Sequence, residues 1–313
     1  GKVKLRDVMF LAHPKPDSEE QKALFKKIAD KTLATPDTWE VALSGGADKK
    51  ETFTRLLNER KLGALALLRN LRNMQQAGVE TSLIREAIKT MKTERVLPFR
   101  FISAARYAPD LEPELEGAMF KCLEGAPKLA GETVLLVDVS GSMNTMLSGK
   151  SEMLRLDAAY GLAMLLREIC DEVKIFSFSQ SFVKIAPRRG FGLRDAINHS
   201  QQHGGTPLGQ AIASVYGERD TPTSRAQSTS GFLLGYHTGD ATYVGQGLKP
   251  DRLIVITDEQ AGDKVPDPAY GKGYMINVAS AHNGVGYGAW LHVDGFSESI
   301  IDYIAAYEKA ERE

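Results

Sequence analysis

The chain has 313 residues, 39 Lys+Arg against 40 Asp+Glu, a net charge of −1 and 42% hydrophobic residues. That length allows about two domains and cores that need no disulfide or metal staple. The composition excludes a disordered chain, a collagen-like fibre and a disulfide framework, and no apolar run approaches the ~20 residues that span a bilayer.

The chain opens on Gly-Lys-Val-Lys-Leu-Arg, which is basic but has no apolar signal core behind it. It does not begin with Met, and the expectation is a protein truncated at its N-terminus. Residues 1–130 then read as helices throughout. Leu62, Leu65, Leu68, Leu71 and Met74 recur at three-residue steps. Leu83, Ile84, Ala87, Ile88 and Met91 make the next apolar stripe, and Phe99, Phe101, Ile102 and Ala105 another, opened by Pro98. Leu111, Leu115, Met119, Cys122 and Leu123 make the last. Short joints at Gly45-Gly46, Gly78, Leu97-Pro98 and Ala108-Pro109 separate them. Helices this short must stack on one another, as in an α-solenoid or a bundle.

The pattern changes near Gly131, so the expected domains are 1–130 and 131–313. Thr133–Val137 is a continuous apolar run suited to a strand buried on both faces. A helix follows from about Glu152 to Cys170, then a strand at Val173–Phe178 and helices at Arg194–Gln202 and Leu208–Tyr216. Strands at Leu253–Thr257, Met275–Val278 and Ala289–Val293 precede a C-terminal helix from about Ser297 to Glu308. Strands alternating with helices imply a doubly wound parallel sheet, which binds ligands at the carboxyl ends of its strands. Between Gly217 and Lys249 the chain is rich in Ser, Thr and Gly and has no periodicity, an insertion expected near the site rim. The two cysteines, Cys122 and Cys170, both fall in helix-like stretches and lack a C-x-x-C partner. They read as reduced core residues of a cytoplasmic protein.

Val137-Asp138-Val139-Ser140-Gly141-Ser142-Met143 carries the most chemistry. A buried strand ends in a carboxylate, and two hydroxyls follow at i+2 and i+4 around a glycine. The bland alternative is a capping loop. The chemical one is a hard-oxygen site for a divalent cation, Mg2+ first, with Mn2+ or Ca2+ as alternatives. Gly204-Gly205-Thr206 offers a further hydroxyl before a helix, and Thr257-Asp258-Glu259 ends a second buried strand at the same sheet edge. Glu259 is expected to stay solvated or to sit behind the ligands. There is no G-x-x-x-x-G-K-[ST] loop, and no His or Cys stands beside the serines in sequence, so a metal hydrolase is disfavoured and no enzyme is expected.

This set resembles the metal-ion-dependent adhesion site of von Willebrand factor type A domains, over about residues 131–312. The resemblance implies Asp138, Ser140 and Ser142 as metal ligands, with Thr206 and Asp258 direct or through water. The segments 5–16, 62–74 and 96–102 resemble, in order, elements of the Ro autoantigen family, the TROVE module. The fold so implied is a HEAT-like helical segment followed by a type A domain. In that family the helical repeats form a ring closed by the type A domain. Single-stranded ends of misfolded RNAs enter the hole, and Y RNA, a small structured RNA, binds the outer basic surface. About 130 helical residues are too few for a full ring.

The charge distribution is consistent with RNA. Residues 1–130 carry a balance of +5 and the rest −6, and between Arg55 and Arg106 there are 11 Lys/Arg and 4 Asp/Glu. RNA contact is assigned to Lys4, Arg6, His13 and Lys15 in the first matched element, and to Arg69 and Arg72, three apart on one helix. A solvated helix surface is the alternative for each. The expected function is a ribonucleoprotein component that binds small structured noncoding RNA and single-stranded RNA ends, without membrane or DNA. A protein partner is expected to use the metal site. The alternative is a metal-dependent adhesion or scaffold module without RNA binding.

Overall fold

The computed structural model describes residues 3–34, 36–149, 153–217, 245–279, 288–297 and 299–311. Most of the Gly217–Lys249 insertion lies outside them. The chain divides into two compact units, one of residues 1–63 and 73–87, the other of 64–72 and 88–313. The change of periodicity near Gly131 falls inside the second unit. No helix among the described residues is long and apolar enough to cross a membrane.

The first unit contains α1 (Leu5–Ala12), α2 (Glu19–Ala29), α3 (Trp39–Ser44) and α4 (Lys49–Asn58). Three of these start on a side chain that accepts a backbone N–H three residues on. Ser18 accepts from Gln21, Thr38 from Val41 and Asp48 from Glu51. The core of the unit holds Phe53, Leu56, Leu57, Met74, Val79 and Ile84. Helices α1 to α3 bury no residue fully. The stripe of three-residue steps is only partly a core face. On α5 (Ala64–Gln76), Leu68, Leu71 and Met74 are buried but Leu65 is 47% exposed, and Leu67 is buried instead. Three residues turn a helix by about 300°, so a strict three-step row drifts off any one face. Helix α6 spans Thr81–Thr90.

In the second unit α7 (Phe99–Tyr107) and α8 (Glu112–Leu123) precede the sheet. The strands are β1 (Leu129–Asp138), β2 (Cys170–Phe178), β3 (Phe182–Lys184), β4 (Arg252–Thr257), β5 (Lys272–Asn277) and β6 (Trp290–Asp294). Their order is β3-β2-β1-β4-β5-β6. All pairings are parallel except β2 with β3, so the expected parallel sheet carries an antiparallel edge strand. Cys170 opens β2 rather than closing a helix. The other helices are α9 (Arg155–Ile169), α10 (Gly190–Asn198), α11 (Leu208–Tyr216) and α12 (Ser299–Ala310). Helix α7 lies so close to α9 that a Cβ at Gly161 would sit 2.5 Å from the Phe99 ring. Helix α8 is tied to α10 by Glu112, which pairs with Arg194 at 2.5 Å, and by Glu116, which accepts the Phe191 N–H at 2.6 Å.

Strand β1 is the centre of this unit. It pairs with β2 on one side and β4 on the other, and residues Thr133 to Asp138 are all buried. From β1 the order runs outward through β2 in one direction and through β4 in the other. The crevice between the carboxyl ends of β1 and β4 is therefore the switch point where such sheets bind ligands.

The opposite end of β4 is held by a buried ion pair. Arg252 Nε and Nη2 donate to Glu308 on α12 at 2.7 and 2.6 Å, Nη1 donates to Thr133 and Nη2 also to the Ala130 carbonyl. Tyr274 donates its hydroxyl to Glu308 at 3.1 Å. Burial opposes the charge on Glu308, but the Arg252 guanidinium wins and holds its carboxyl below the usual range. The stabilisation from this pair is present above the ordinary Glu pKa and is lost as the pH falls below it. Glu308→Ala should lower unfolding stability by about 3–5 kcal/mol, because it strands a buried guanidinium. The double change Arg252→Met with Glu308→Leu should recover most of that loss in urea melts. A Glu308→Ala loss under about 1 kcal/mol would show that water reaches Arg252.

Candidate metal centre at the sheet edge

Asp138 ends β1 with no exposure at all. Its Oδ1 accepts the Ser140 N–H at 2.8 Å and its Oδ2 accepts the Thr257 hydroxyl at 2.6 Å. Thr257 Oγ1 in turn accepts the Glu259 N–H at 3.0 Å. Burial pushes the Asp138 carboxyl up to about 6, against the hydrogen bonds from Ser140 and Thr257, and the nearby charge of Asp258 adds to the rise.

The single turn Gly141–Asn144 brings Ser142 back over Ser140, with the two Oγ atoms 3.2 Å apart. Gly141 donates its N–H to the Gly204 carbonyl at 2.8 Å. Ser179 holds the other side of that loop, accepting from Gly204 N at 2.7 Å and donating to the Gly205 carbonyl. The Gly204-Gly205-Thr206 loop is thereby fastened against the Asp138–Ser142 turn. Thr206 is half-buried, and its carbonyl accepts from Gly262 at 3.0 Å. The Asp263 carboxylate caps α11, taking the Gly209 and Gln210 N–H groups at 2.9 Å each.

Asp258 follows β4, and its buried carboxylate is met by Arg155 Nη1 at 2.7 Å. Sequence reasoning did not identify Arg155. The one signal was a cation at the first residue of a helix, where the dipole disfavours it. It also passed over Thr257, whose hydroxyl anchors Asp138. Of the two places expected for Glu259, burial excludes the solvated one and leaves the one behind the ligands. It is 1% exposed, left-handed at φ 59°, and its Oε1 meets His292 Nε2. Its burial and its pairing with His292 hold the side chain away from solvent. The other ring nitrogen of His292 lies 3.5 Å from Asp294.

The donor set fits a hard divalent ion. Oxygens at about 2.1 Å in an octahedron stand about 3.0 Å apart along an edge, close to the Ser140–Ser142 spacing. Among the described residues no group of three or more His, Cys, Asp or Glu is placed to hold a metal. Any ion at this edge would rely on hydroxyls beside Asp138 and Asp258.

The residues assigned to RNA lie on helix surfaces. Lys4, His13 and Lys15 are exposed and Arg6, half-buried, stacks on Phe10 at 5.1 Å. These four belong to the first unit. Arg69 and Arg72 are exposed on the part of α5 in the second unit, where the Arg72 guanidinium lies 5.1 Å over the Tyr107 ring.

The raised pKa of Asp138 carries a sign. A carboxyl whose folded value exceeds its unfolded one favours folding below the unfolded pKa, and this contribution is lost as the pH rises to about 6. Without divalent ions, Asp138→Asn should therefore raise stability at pH 7.5 by roughly 3 kcal/mol. The gain should vanish by pH 4. Equal effects at both pH values, measured by chemical denaturation, would contradict the cost assigned to the buried charge.

A family model described as the TROVE domain matches residues 28–145, a span that includes Asp138, Ser140 and Ser142. Over 89 residues the chain is 33% identical to telomerase protein component 1 of Mus musculus, a match covering 26% of this chain and 3% of that protein. The crystal structure of the Deinococcus radiodurans RO (RSR) protein superposes with a TM-score of 0.58 at 20% identity, covering 98% of this chain and 70% of that one. At that identity the likeness speaks for the fold alone. The chain is thus similar to the TROVE domain over residues 28–145 and shares the fold of the RO (RSR) protein.

Proposed function

We propose that the chain is an RNA-binding ribonucleoprotein component, not an enzyme, that acts in the cytoplasm on small structured noncoding RNA and on single-stranded RNA ends. The observation that carries this reading is the TROVE match over residues 28–145. The exposed cations support it. Lys4, His13 and Lys15 of the first unit offer phosphates hydrated cations, and within the second unit Arg69 and Arg72 do the same. The Arg72–Tyr107 stack offers a planar face to an unpaired base.

The edge of the sheet has a separate task in this reading. Asp138, Ser140 and Ser142 would hold a divalent cation, probed first as Mg2+, with Thr206 and Asp258 direct or through water. A bound ion supplies an open coordination position for an acidic oxygen of a protein partner. The chain's own contribution is to bury Asp138 and to bring the two serine hydroxyls together.

RNA affinity should rest on the helices and not on Asp138. Filter binding of a small structured RNA with a single-stranded 3′ extension should weaken steeply as salt rises. Arg69→Glu with Arg72→Glu should reduce the slope of log affinity against log salt by about 1.4, the share of two lost single-strand contacts. Asp138→Ala should leave RNA binding unchanged. No retention of RNA by the wild-type chain at low salt would refute the RNA reading. Loss of RNA binding in Asp138→Ala, in a chain that still folds, would refute the division of labour.

A further inference from the structure

A buried and a half-buried arginine can be compared within the second unit. Arg252 is satisfied in full, with Glu308, Thr133 and the Ala130 carbonyl each taking a donor. Arg155 is not. Its Nη1 meets Asp258, while its buried Nε has no hydrogen-bond acceptor among the described residues. Its side chain is 13% exposed and it is the first residue of α9, where the helix dipole repels a cation. A guanidinium in that position is not saturated as a structural arginine is. Its guanidinium is paired with a carboxylate at the edge of the candidate metal centre.

Charge makes the consequence explicit. With both carboxylates ionised, Asp138 and Asp258 supply two negative charges for a divalent ion. Arg155 already neutralises one of them. An incoming ion then meets a site of net charge −1 and must share Asp258 with a guanidinium or displace it. Arg155 also sits on the strap that leaves the Ser142 turn. Its N–H donates to the Thr145 carbonyl at 2.9 Å, and Leu147 donates to the Met153 carbonyl at 2.7 Å beside the Met146–Leu154 bridge. The strap therefore ties the segment after Ser142 to the residue that holds Asp258.

We propose that Arg155 is an internal counter-cation of the metal centre: it occupies Asp258 when no ion is bound, yields it when a divalent cation arrives, and so sets the ion concentration at which the centre fills. This inference rests on the metal-centre reading given above. Neutralising the residue should tighten ion binding, because the ion then meets the full charge of both carboxylates. It should also weaken the ion-free fold, because Asp258 is left buried without that cation.

The test is calorimetric titration of Mg2+ into the full chain, paired with thermal melts with and without the ion. Arg155→Gln should bind Mg2+ at least about tenfold more tightly than wild type. Arg155→Lys, which keeps the charge, should bind less tightly than Arg155→Gln. Arg155→Gln should melt below wild type without ion, and saturating Mg2+ should close most of that gap. If Arg155→Gln does not fold, the wild-type chain still decides. Its Arg155 Nη protons, followed by NMR, should lose their slowed exchange as Mg2+ is added. An unchanged Mg2+ affinity, with a melting deficit that the ion does not alter, would make Arg155 a structural pair and overturn the proposal. Unaltered Arg155 exchange in ion-saturated wild type would do the same. Absence of Mg2+ binding in wild type and variants alike would remove the metal-centre reading itself, and the proposal with it.

Discussion

One constraint organises the second unit: a carboxylate is buried at the end of the central strand. Asp138 has a neighbouring strand on each side and no contact with solvent. Burying it unaided would be costly, so the surroundings donate to both of its oxygens, from Ser140 N and Thr257 Oγ1. Those donors fix the backbone of the next turn, and that turn places Ser142 over Ser140. Its glycine is then bound to the Gly204 loop. The positions of Ser140 and Ser142 follow from where Asp138 lies and from the donors that hold it there.

The two ends of the sheet use buried charge in opposite ways. At the Arg252 end the charges are paired, chelated and saturated with hydrogen bonds, and the arrangement locks α12 to β4. At the Asp138 end burial raises the carboxyl's pKa, and the fold gives up stability rather than gaining it. A buried ion pair that breaks when one partner is removed is architecture. A buried carboxylate that is costly at neutral pH, beside two convergent hydroxyls and at the switch point of a doubly wound sheet, is where a ligand would repay the cost.

Much of this was legible in the residues themselves. The apolar runs at β1 and β4 are buried on both faces, so they read as uninterrupted hydrophobic strings and place Asp138 and Asp258 at one edge. What escaped was set by tertiary contact. Strand β3 is three residues long, too short to show a period, and is defined by its antiparallel pairing with β2, where Phe182 also stacks on Phe176 at 4.6 Å. Arg155 lies 103 positions from Asp258, and no local pattern links them. Residue type leaves Glu259 open between solvent and a place behind the ligands, because its left-handed backbone and its His292 partner on β6 cannot be read from a tripeptide. On the helical side, residue type marked the exposed cations, but their grouping into different compact units could not be inferred from spacing. The row of leucines on α5 shows the limit of counting, since a step of three mimics a helix face without staying on one.

The centre at the sheet edge is the part of the account on which most depends. The most direct measurement is anomalous diffraction from crystals of the chain soaked in millimolar Mn2+. The account predicts a peak bounded by the oxygens of Asp138, Ser140 and Ser142, on the side that faces Thr206 and Asp258, with the Arg155 guanidinium withdrawn. A peak elsewhere, or none at the end of β1 while Arg155 stays on Asp258, would contradict it.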